Sequence, residues 1–572
     1  MSYTIGIDFG TLSGRALLVD TDDGREVASS VFDYPHGVID ETLPTSGETL
    51  PPEWALQDPR DYLEVVRQTV PKVLQESGVD VGEVVGVAID FTACTMLPTN
   101  ADGTPLRDVE KWQEHPHAWV KLWKHHAAQP QADQINEVAE ARDEPWLKRY
   151  GGKYSSEWFF SKALQILEEA PEVYAAADRL IEACDWVIWQ LTGNETRNAC
   201  TAGYKAMVQN GEYPSNEYFA ALHPDFADVV DSKMSREFTQ LGSRAGGLTA
   251  EWAEATGLTE GTAVAVANVD AHVTAPAVRA TDPGVMVMIM GTSTCHVMSG
   301  QSIHNVEGMC GVVEGGIVPG LYGYEAGQSG VGDIFAWFVD NAVPPEYHQA
   351  AERAGLDLHE YLEQEANKQA VGEHGLLALD WWNGNRSTLV DVDLSGLLVG
   401  ATLSTKAPDI YRALIEATAY GTREIIEAFE TKGVEVKELV AAGGLPEKNA
   451  LLRQIYADVT GRPLKLAGSA QAPALGAAMH AAVAAGVYPD ISAAAEKMGK
   501  LKDEVVTPIP ENRETYDQLY REYKRLYNYF GRENDVMKTL KSIRNEAKGK
   551  ACSGDEAKDE VEAGARAAGT KA

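Results

Sequence analysis

Apolar stretches of strand length, separated by turn residues, open the chain. IGIDFG (residues 5–10), RALLVD (15–20) and REVASSVFDY (25–34) follow one another, and Asp22, Asp23 and Gly24 supply a tight hairpin between the last two. The pattern predicts an antiparallel meander. After a proline-rich passage, DPRDYLEVVRQTVPKVLQESG changes to helical spacing, with Asp58 as cap and Pro59 in the first turn. VVGVAID then reads as a strand too apolar to be exposed.

The second half repeats this order. GVMVMIMG (284–291), TCHVMSG (294–300) and GLYGYEAG (320–327) read as strands, residues 333–340 and 409–432 as helices, and ELVAAGG (438–444) as another buried strand. A helix at 448–460, a short strand at 464–467 and an alanine-rich helix at 472–485 follow. Meander, helix, buried strand is the RNase H-like order. The fold expected is therefore α/β, with two such domains facing each other across a nucleotide-binding cleft. The DPG break places the junction near 281–284, giving domains at 1–281 and 282–545. A long insert between Asp102 and Gly261, rich in Trp and Tyr, is large enough to build a substrate pocket. Residues 546–572 lack aromatic residues and nearly all large aliphatics, so a disordered tail is expected.

Charge narrows the partners. The 572 residues carry 49 Lys plus Arg against 85 Asp plus Glu, a formal charge of −36, which repels nucleic acid and anionic membranes over most of the surface. Cys94, Cys184, Cys200, Cys295, Cys310 and Cys552 show no CxxC spacing, arguing for reduced thiols in a cytoplasm rather than zinc or a disulfide framework. No signal peptide and no bilayer-length apolar run is evident, so neither export nor insertion is expected.

Chemistry concentrates at two glycine- and hydroxyl-bearing turns that follow strands. In the first, Gly10 permits close backbone approach while Thr11, Ser13 and Arg15 offer donors to anionic oxygens. Gly291, Thr292 and Ser293 offer similar donors in the second, with no carboxylate beside them. Asp8 ends the first strand, and a carboxylate beside phosphates is repulsive unless a cation lies between them, so Asp8 is a metal-side candidate for Mg2+. GTAVAVANVDAH (261–272) brings Asp270 to the end of another apolar strand; an isolated Asp there would suit a helix cap better, but the two phosphate turns in the same chain favour a general base for phosphoryl transfer to an alcohol. In AAGGLPEKN (441–449), Gly443 and Gly444 open a helix whose amides can receive a nucleotide, and Asn449 can bond a base or ribose edge.

These segments, in this order and spacing, resemble the FGGY family of carbohydrate kinases in the actin and hexokinase superfamily, over nearly everything except the tail. DFTACTMLP (90–98), HAWVKLWKHHAAQ (117–129), RNACTAGYKAM (197–207) and YGYEAGQSGVGD (322–333) are similar to members acting on L-ribulose. The resemblance implies ATP-dependent phosphorylation of that ketopentose at its 5-hydroxyl, as in L-arabinose catabolism, and a homodimer. It implies Asp270 as base, Asp8 and Asp270 on the metal side, and Gly10, Thr11, Ser13, Arg15, Gly291, Thr292 and Ser293 at the phosphates. Gly443, Gly444 and Asn449 would meet the nucleoside, and the backbone at Ala93 with Lys205, Asp270 and Glu325 the sugar. By residue type alone, Lys205 also suits a solvated surface charge and Glu325 a salt bridge.

Other readings weigh less. His115, His117, His125 and His126 lack zinc-ligand spacing, and WVKLWKHHAA is expected as an amphipathic helix with Trp119 and Trp123 inward and its polar face toward cleft or solvent. Trp186 and Trp189 are expected in the core. A kinase for D-ribulose or xylulose would share every ATP residue, and an actin-like or chaperone-like ATPase would have no need of the DFTACT, AGYKA and YEAGQSG segments. Neither phosphate turn reads GxGxxG, which weighs against a nicotinamide dehydrogenase.

Overall fold

A computed structural model describes residues 1–547. The opening meander forms as expected: β1 (Tyr3–Phe9) pairs with β2 (Ser13–Asp20), and β2 with β3 (Glu26–Asp33), both antiparallel. Helix α1 (Pro59–Ser77) starts where Asp58 accepts the amide of Arg60 and ends at Gly78, whose φ of 65° is the left-handed cap glycine tolerates. Its apolar stripe, Tyr62, Val65, Val66, Val70 and Val73, covers one face of the sheet.

Central strand β4 (Val84–Phe91) runs parallel to β1. Helix α2 (Ala199–Lys205) lies in the insert; β5 (Arg244–Gly247), β6 (Ala263–Ala265) and β7 (Asn268–Val269) complete the first sheet, ordered β3-β2-β1-β4-β6-β5 with β7 on β4. Chain direction then turns into helix α3 (Asp270–Ala277). The second sheet repeats the plan with β8 (Val285–Met290), β9 (Thr294–Gly300), β10 (Gly311–Glu314) and β11 (Tyr322–Gln328). After helix α4 (Ala407–Thr431) come β12 (Glu438–Ala442), helix α5 (Ala450–Thr460), β13 (Leu464–Ala467), helix α6 (Ala472–Ala484) and β14 (Leu501–Val506), in the sheet order β10-β11-β9-β8-β12-β13-β14.

Helix α6 is displaced from where chain order alone would put it. It packs against β1 and β4 of the first sheet, close enough that a side chain at Gly6 would collide with the carbonyl of Ala474, and one at Gly86 would crowd that of Ala481. Buried on nearly all sides, it is alanine-rich throughout its length. One apolar cluster combines Leu17 and Val19 of the first sheet, Ala275 of α3, Leu475 and Met479 of α6, and Val287, Val297 and Val440 of the second sheet. The helices α3 and α6 thus join the two sheets behind the cleft.

The insert contributes a separate aromatic core, including Trp146, Tyr150, Tyr154, Trp158, Phe160 and Phe219. One expectation here is corrected. Residues 119–128 do not form an amphipathic helix: after a single tight turn (Pro116–Ala118) comes a two-residue strand, Val120–Lys121, paired with Leu56–Gln57. Trp119 is buried as expected, yet Lys121 and His125 are buried too. Gln165 accepts from Lys121 at 3.0 Å, and the Trp54 ring lies 4.2 Å from the ammonium, so tertiary partners satisfy polar groups that helical spacing would have turned outward. Trp186 and Trp189 are in the core. Of the expected tail, 546–572, residues 548–572 lie outside the described residues. Among those described, no helix is long and apolar enough to cross a membrane.

Candidate active site

Three carboxylates meet where the first sheet ends. Parallel register sets Asp8 of β1 beside Asp90 of β4, and Asp90 beside Asn268 of β7; two residues later Asp270 begins α3. Arg15 Nε, opposite on β2, lies 3.3 Å from Asp8 Oδ2. Asp90 is 0 % exposed, and neither of its oxygens has a hydrogen-bond partner among the described residues. Burial, then the charges of Asp8 and Asp270, push the Asp90 carboxyl well above the usual range. Burial raises Asp8 as well, with Arg15 opposing. For Asp270, burial and the neighbouring Asp8 push the carboxyl up to about 7, although the amide of Ala271 donates to its Oδ1 at 2.6 Å and opposes the shift. Asp270 is thus the first residue of a helix and also a partly buried member of this acid cluster.

Asp90 is a candidate site residue that sequence reasoning misses. Its signal was a carboxylate at the end of an otherwise apolar buried strand, which becomes meaningful only once register places it beside Asp8. An acid cluster with buried oxygens lacking partners fits a divalent cation on its open side. Among the described residues no three His, Cys, Asp or Glu side chains form a ligand group by themselves. The arrangement suits an ion that completes its shell with phosphate oxygens and water.

Both turns are tight. The Gly10 amide donates to Ser13 O at 3.0 Å, and the Gly291 amide to Ser293 O at 2.9 Å. Trp123 donates to the hydroxyl of Thr11 at 3.1 Å, which leaves that hydroxyl's own hydrogen to point elsewhere. Thr292 O accepts from the amides of Val331 and Asp333, fixing the second turn against the strand-to-helix connection after β11. Gly443 has φ 98° and sits against the carbonyl of Met290, a place closed to any larger residue. Gly444 opens a five-residue helix, Gly444–Lys448. Asn449 uses its side-chain oxygen as the cap of α5, accepting from Leu452 at 2.7 Å, which leaves its amide hydrogens open to a ligand.

The sugar-side candidates converge from both halves of the chain. Lys205, at the end of α2, and Glu325, on β11, are buried and paired, with Nζ 3.1 and 3.2 Å from the two carboxylate oxygens. A solvated surface lysine does not describe Lys205, whereas the salt bridge considered for Glu325 is this buried pair. His272, two residues after Asp270, adds a 3.1 Å contact from Nε2 to Glu325 Oε2, while its Nδ1 lies 3.1 Å from Cys200 Sγ and Tyr204 packs on its ring. Burial pushes Glu325 up, but Lys205 and then His272 outweigh it and hold the carboxyl below its ordinary range. The same pairing raises Lys205 against its own burial. Ala93 sits in a tight turn whose next residue, Cys94, has φ 54°, and it packs against a small apolar cluster that includes Tyr204 and Val269.

Paired RNase H-like sheets, each running into a glycine turn, with a carboxylate cluster at the end of the first, have the architecture of a sugar kinase of the actin and hexokinase type, and comparison with known proteins agrees. The chain matches the FGGY family of carbohydrate kinases, N-terminal domain, over residues 3–276, and the C-terminal domain of the same family over 286–485. It is 58% identical to a ribulokinase from Shouchella clausii over 555 residues, 96% of this chain and 99% of that one. A ribulokinase from Mycolicibacterium smegmatis is 57% identical over 546 residues, covering 95% and 97%. In fold, the ligand-bound xylulose kinase from Lactobacillus acidophilus superposes with a TM-score of 0.76 at 18% identity, covering 93% of this chain and 99% of that one. The chain belongs to the FGGY family of carbohydrate kinases.

Proposed function

We propose that this kinase transfers the terminal phosphoryl group of ATP to the 5-hydroxyl of L-ribulose, as L-arabinose catabolism requires. The observation that carries the reading is the position of Asp270, between the acid cluster at Asp8 and the Lys205–Glu325 pair, with its carboxyl raised to about 7. A base with that affinity is ionised often enough to accept a hydroxyl proton and basic enough to keep it.

Lys205 donates to sugar oxygens, Glu325 accepts from sugar hydroxyls, and the main chain at Ala93 lines the same space. Thr11, Ser13 and Arg15 receive phosphate oxygens from one side, and Thr292 and Ser293 from the other. Gly443 and Gly444 admit the nucleoside, with the Asn449 amide hydrogens as donors. Asp8 and Asp270 would hold Mg2+, with Asp90 behind them, and the bound ion would supply the positive charge that lets phosphates approach these acids. As the oxygen–phosphorus bond forms, the O–H bond breaks toward Asp270, whose carboxyl holds the proton while ADP departs. Joining Lys205 and His272 to Glu325 brings the two halves together around the substrate and keeps water from competing for the phosphoryl group. The free thiols of Cys94, Cys184, Cys200, Cys295 and Cys310 support a cytoplasmic setting.

The test is the initial rate of ADP formation with L-ribulose, D-ribulose, both xyluloses, glycerol and no sugar. L-ribulose is expected to give the highest kcat/KM. A higher value for another polyol would reassign the substrate, and sugar-independent hydrolysis would remove the kinase reading of the pocket.

A further inference from the structure

Arg386 is a cation at the sugar pocket that neither the two phosphate turns nor the base accounts for. Its side chain is 27 % exposed, and its nearest carboxylate contacts are both long: Nη2 lies 3.9 Å from Glu325 Oε1 and 3.9 Å from Glu157 Oε2. Both distances exceed those of a hydrogen bond. Glu325 Oε1 is the oxygen that Lys205 contacts at 3.1 Å, so the guanidinium and the ammonium converge on one point of the pocket.

The surroundings fix the arginine there. Asn385 and Asp391 exchange two backbone hydrogen bonds of 2.8 Å, the Asn385 side chain accepts from Leu389 at 2.9 Å, and the Ser387 hydroxyl accepts from the amide of Gly327 at 3.2 Å. Gly327 is two residues beyond Glu325 on β11 and therefore on the same face of the strand. A Cβ at Gly327 would come within 3.0 Å of Arg386 Cδ, so the glycine provides the lane along which the arginine reaches the pocket. A rigidly presented planar fork with open donors, beside a carboxylate and an ammonium already directed at the same space, suits adjacent oxygens of a polyol.

We propose that Arg386 is a further substrate-positioning residue, binding oxygens of the open-chain ketopentose beside Lys205 and Glu325. The inference rests on the sugar-site reading above. The competing role is a structural latch, in which Arg386 merely holds Glu157 of the first half to Glu325 of the second.

Steady-state kinetics of the full chain with L-ribulose and ATP separate these. Arg386→Gln is expected to raise the ribulose KM by roughly tenfold or more, the loss of charge-assisted hydrogen bonds, and to move the ATP KM by less than about twofold. Arg386→Lys is expected to recover only part of the loss, because an ammonium lacks the fork. Gly327→Ala keeps the guanidinium but narrows its lane, and is expected to raise the ribulose KM in the same direction. An unchanged ribulose KM in Arg386→Gln or in Gly327→Ala, equal shifts for both substrates, or a Glu157→Gln variant that reproduces the Arg386→Gln defect would each overturn the proposal. Lys205→Ala, run alongside, tells the two levels apart. If it too leaves the ribulose KM unchanged, the sugar-site reading falls; if it raises that KM while Arg386→Gln does not, only this inference falls.

Discussion

At the edge of the cleft, β1 of the first sheet sets Asp8 opposite Arg15 and beside Asp90, whereas β8 of the second sets Ile289 opposite Cys295 and beside Ala442. Both strands run into a glycine turn and both sheets follow the same plan. Yet one edge concentrates negative charge in buried surroundings and the other carries none. The contrast separates two tasks that a phosphoryl-transfer site must combine. Holding phosphates needs only amides, hydroxyls and a backbone that can come close, and the second turn offers these. Accepting a proton and a cation needs carboxylates whose affinity for positive charge is raised, and burying three of them together achieves this.

The largest effect should come from neutralising the member of the acid edge proposed as the base. Asp270→Asn is expected to lower turnover at least about a hundredfold while leaving ATP binding within a few-fold, measured by single-turnover kinetics and nucleotide titration. Turnover near that of the parent would remove proton acceptance from the acid edge. Asp90→Asn tests whether the edge also serves the cation. Mn2+ binding in the presence of ATP, followed by electron paramagnetic resonance, is expected to weaken by roughly ten- to a hundredfold. Unchanged affinity would leave Asp90 as a buried structural acid.

Across the cleft, Lys205→Ala is expected to raise the ribulose KM by about tenfold or more and to leave the ATP KM nearly unchanged. Equal effects on both would erase the division between sugar side and nucleotide side. The smallest effect is on stability. A carboxyl raised to about 7 in the folded chain favours folding at low pH, and that contribution is lost as pH rises through 7. Asp270→Asn should therefore melt above the parent at about pH 8 and match it near pH 4. A variant that melts below the parent at pH 8 would show that the acid edge is not strained by its own charge.

Sequence alone made the sheets legible, because strand-length apolar runs, the Asp22–Asp23–Gly24 hairpin and the Asp58 cap act over a few neighbouring residues. Asp8 and Asp270 stood out as candidates for the same reason, each ending an apolar strand. Asp90 and Arg386 were not, since their meaning depends on register between strands and on a loop folding back against Gly327. The stretch from Trp119 to Ala128 misled because Lys121 and His125 find partners inside the protein, Gln165 among them, which are distant in sequence. Similarly, nothing local shows that α6, late in the chain, packs on the first sheet.

The claim that most of this depends on is that Asp270 is protonated in the resting site well above the range of an ordinary carboxyl. Infrared difference spectra between the ligand-free parent and Asp270→Asn, recorded from about pH 4 to pH 9, observe that proton directly. The account predicts a protonated-carboxyl band that belongs to Asp270 and disappears with a midpoint near 7. A band already lost by about pH 5, as for a solvent-exposed aspartate, would contradict it.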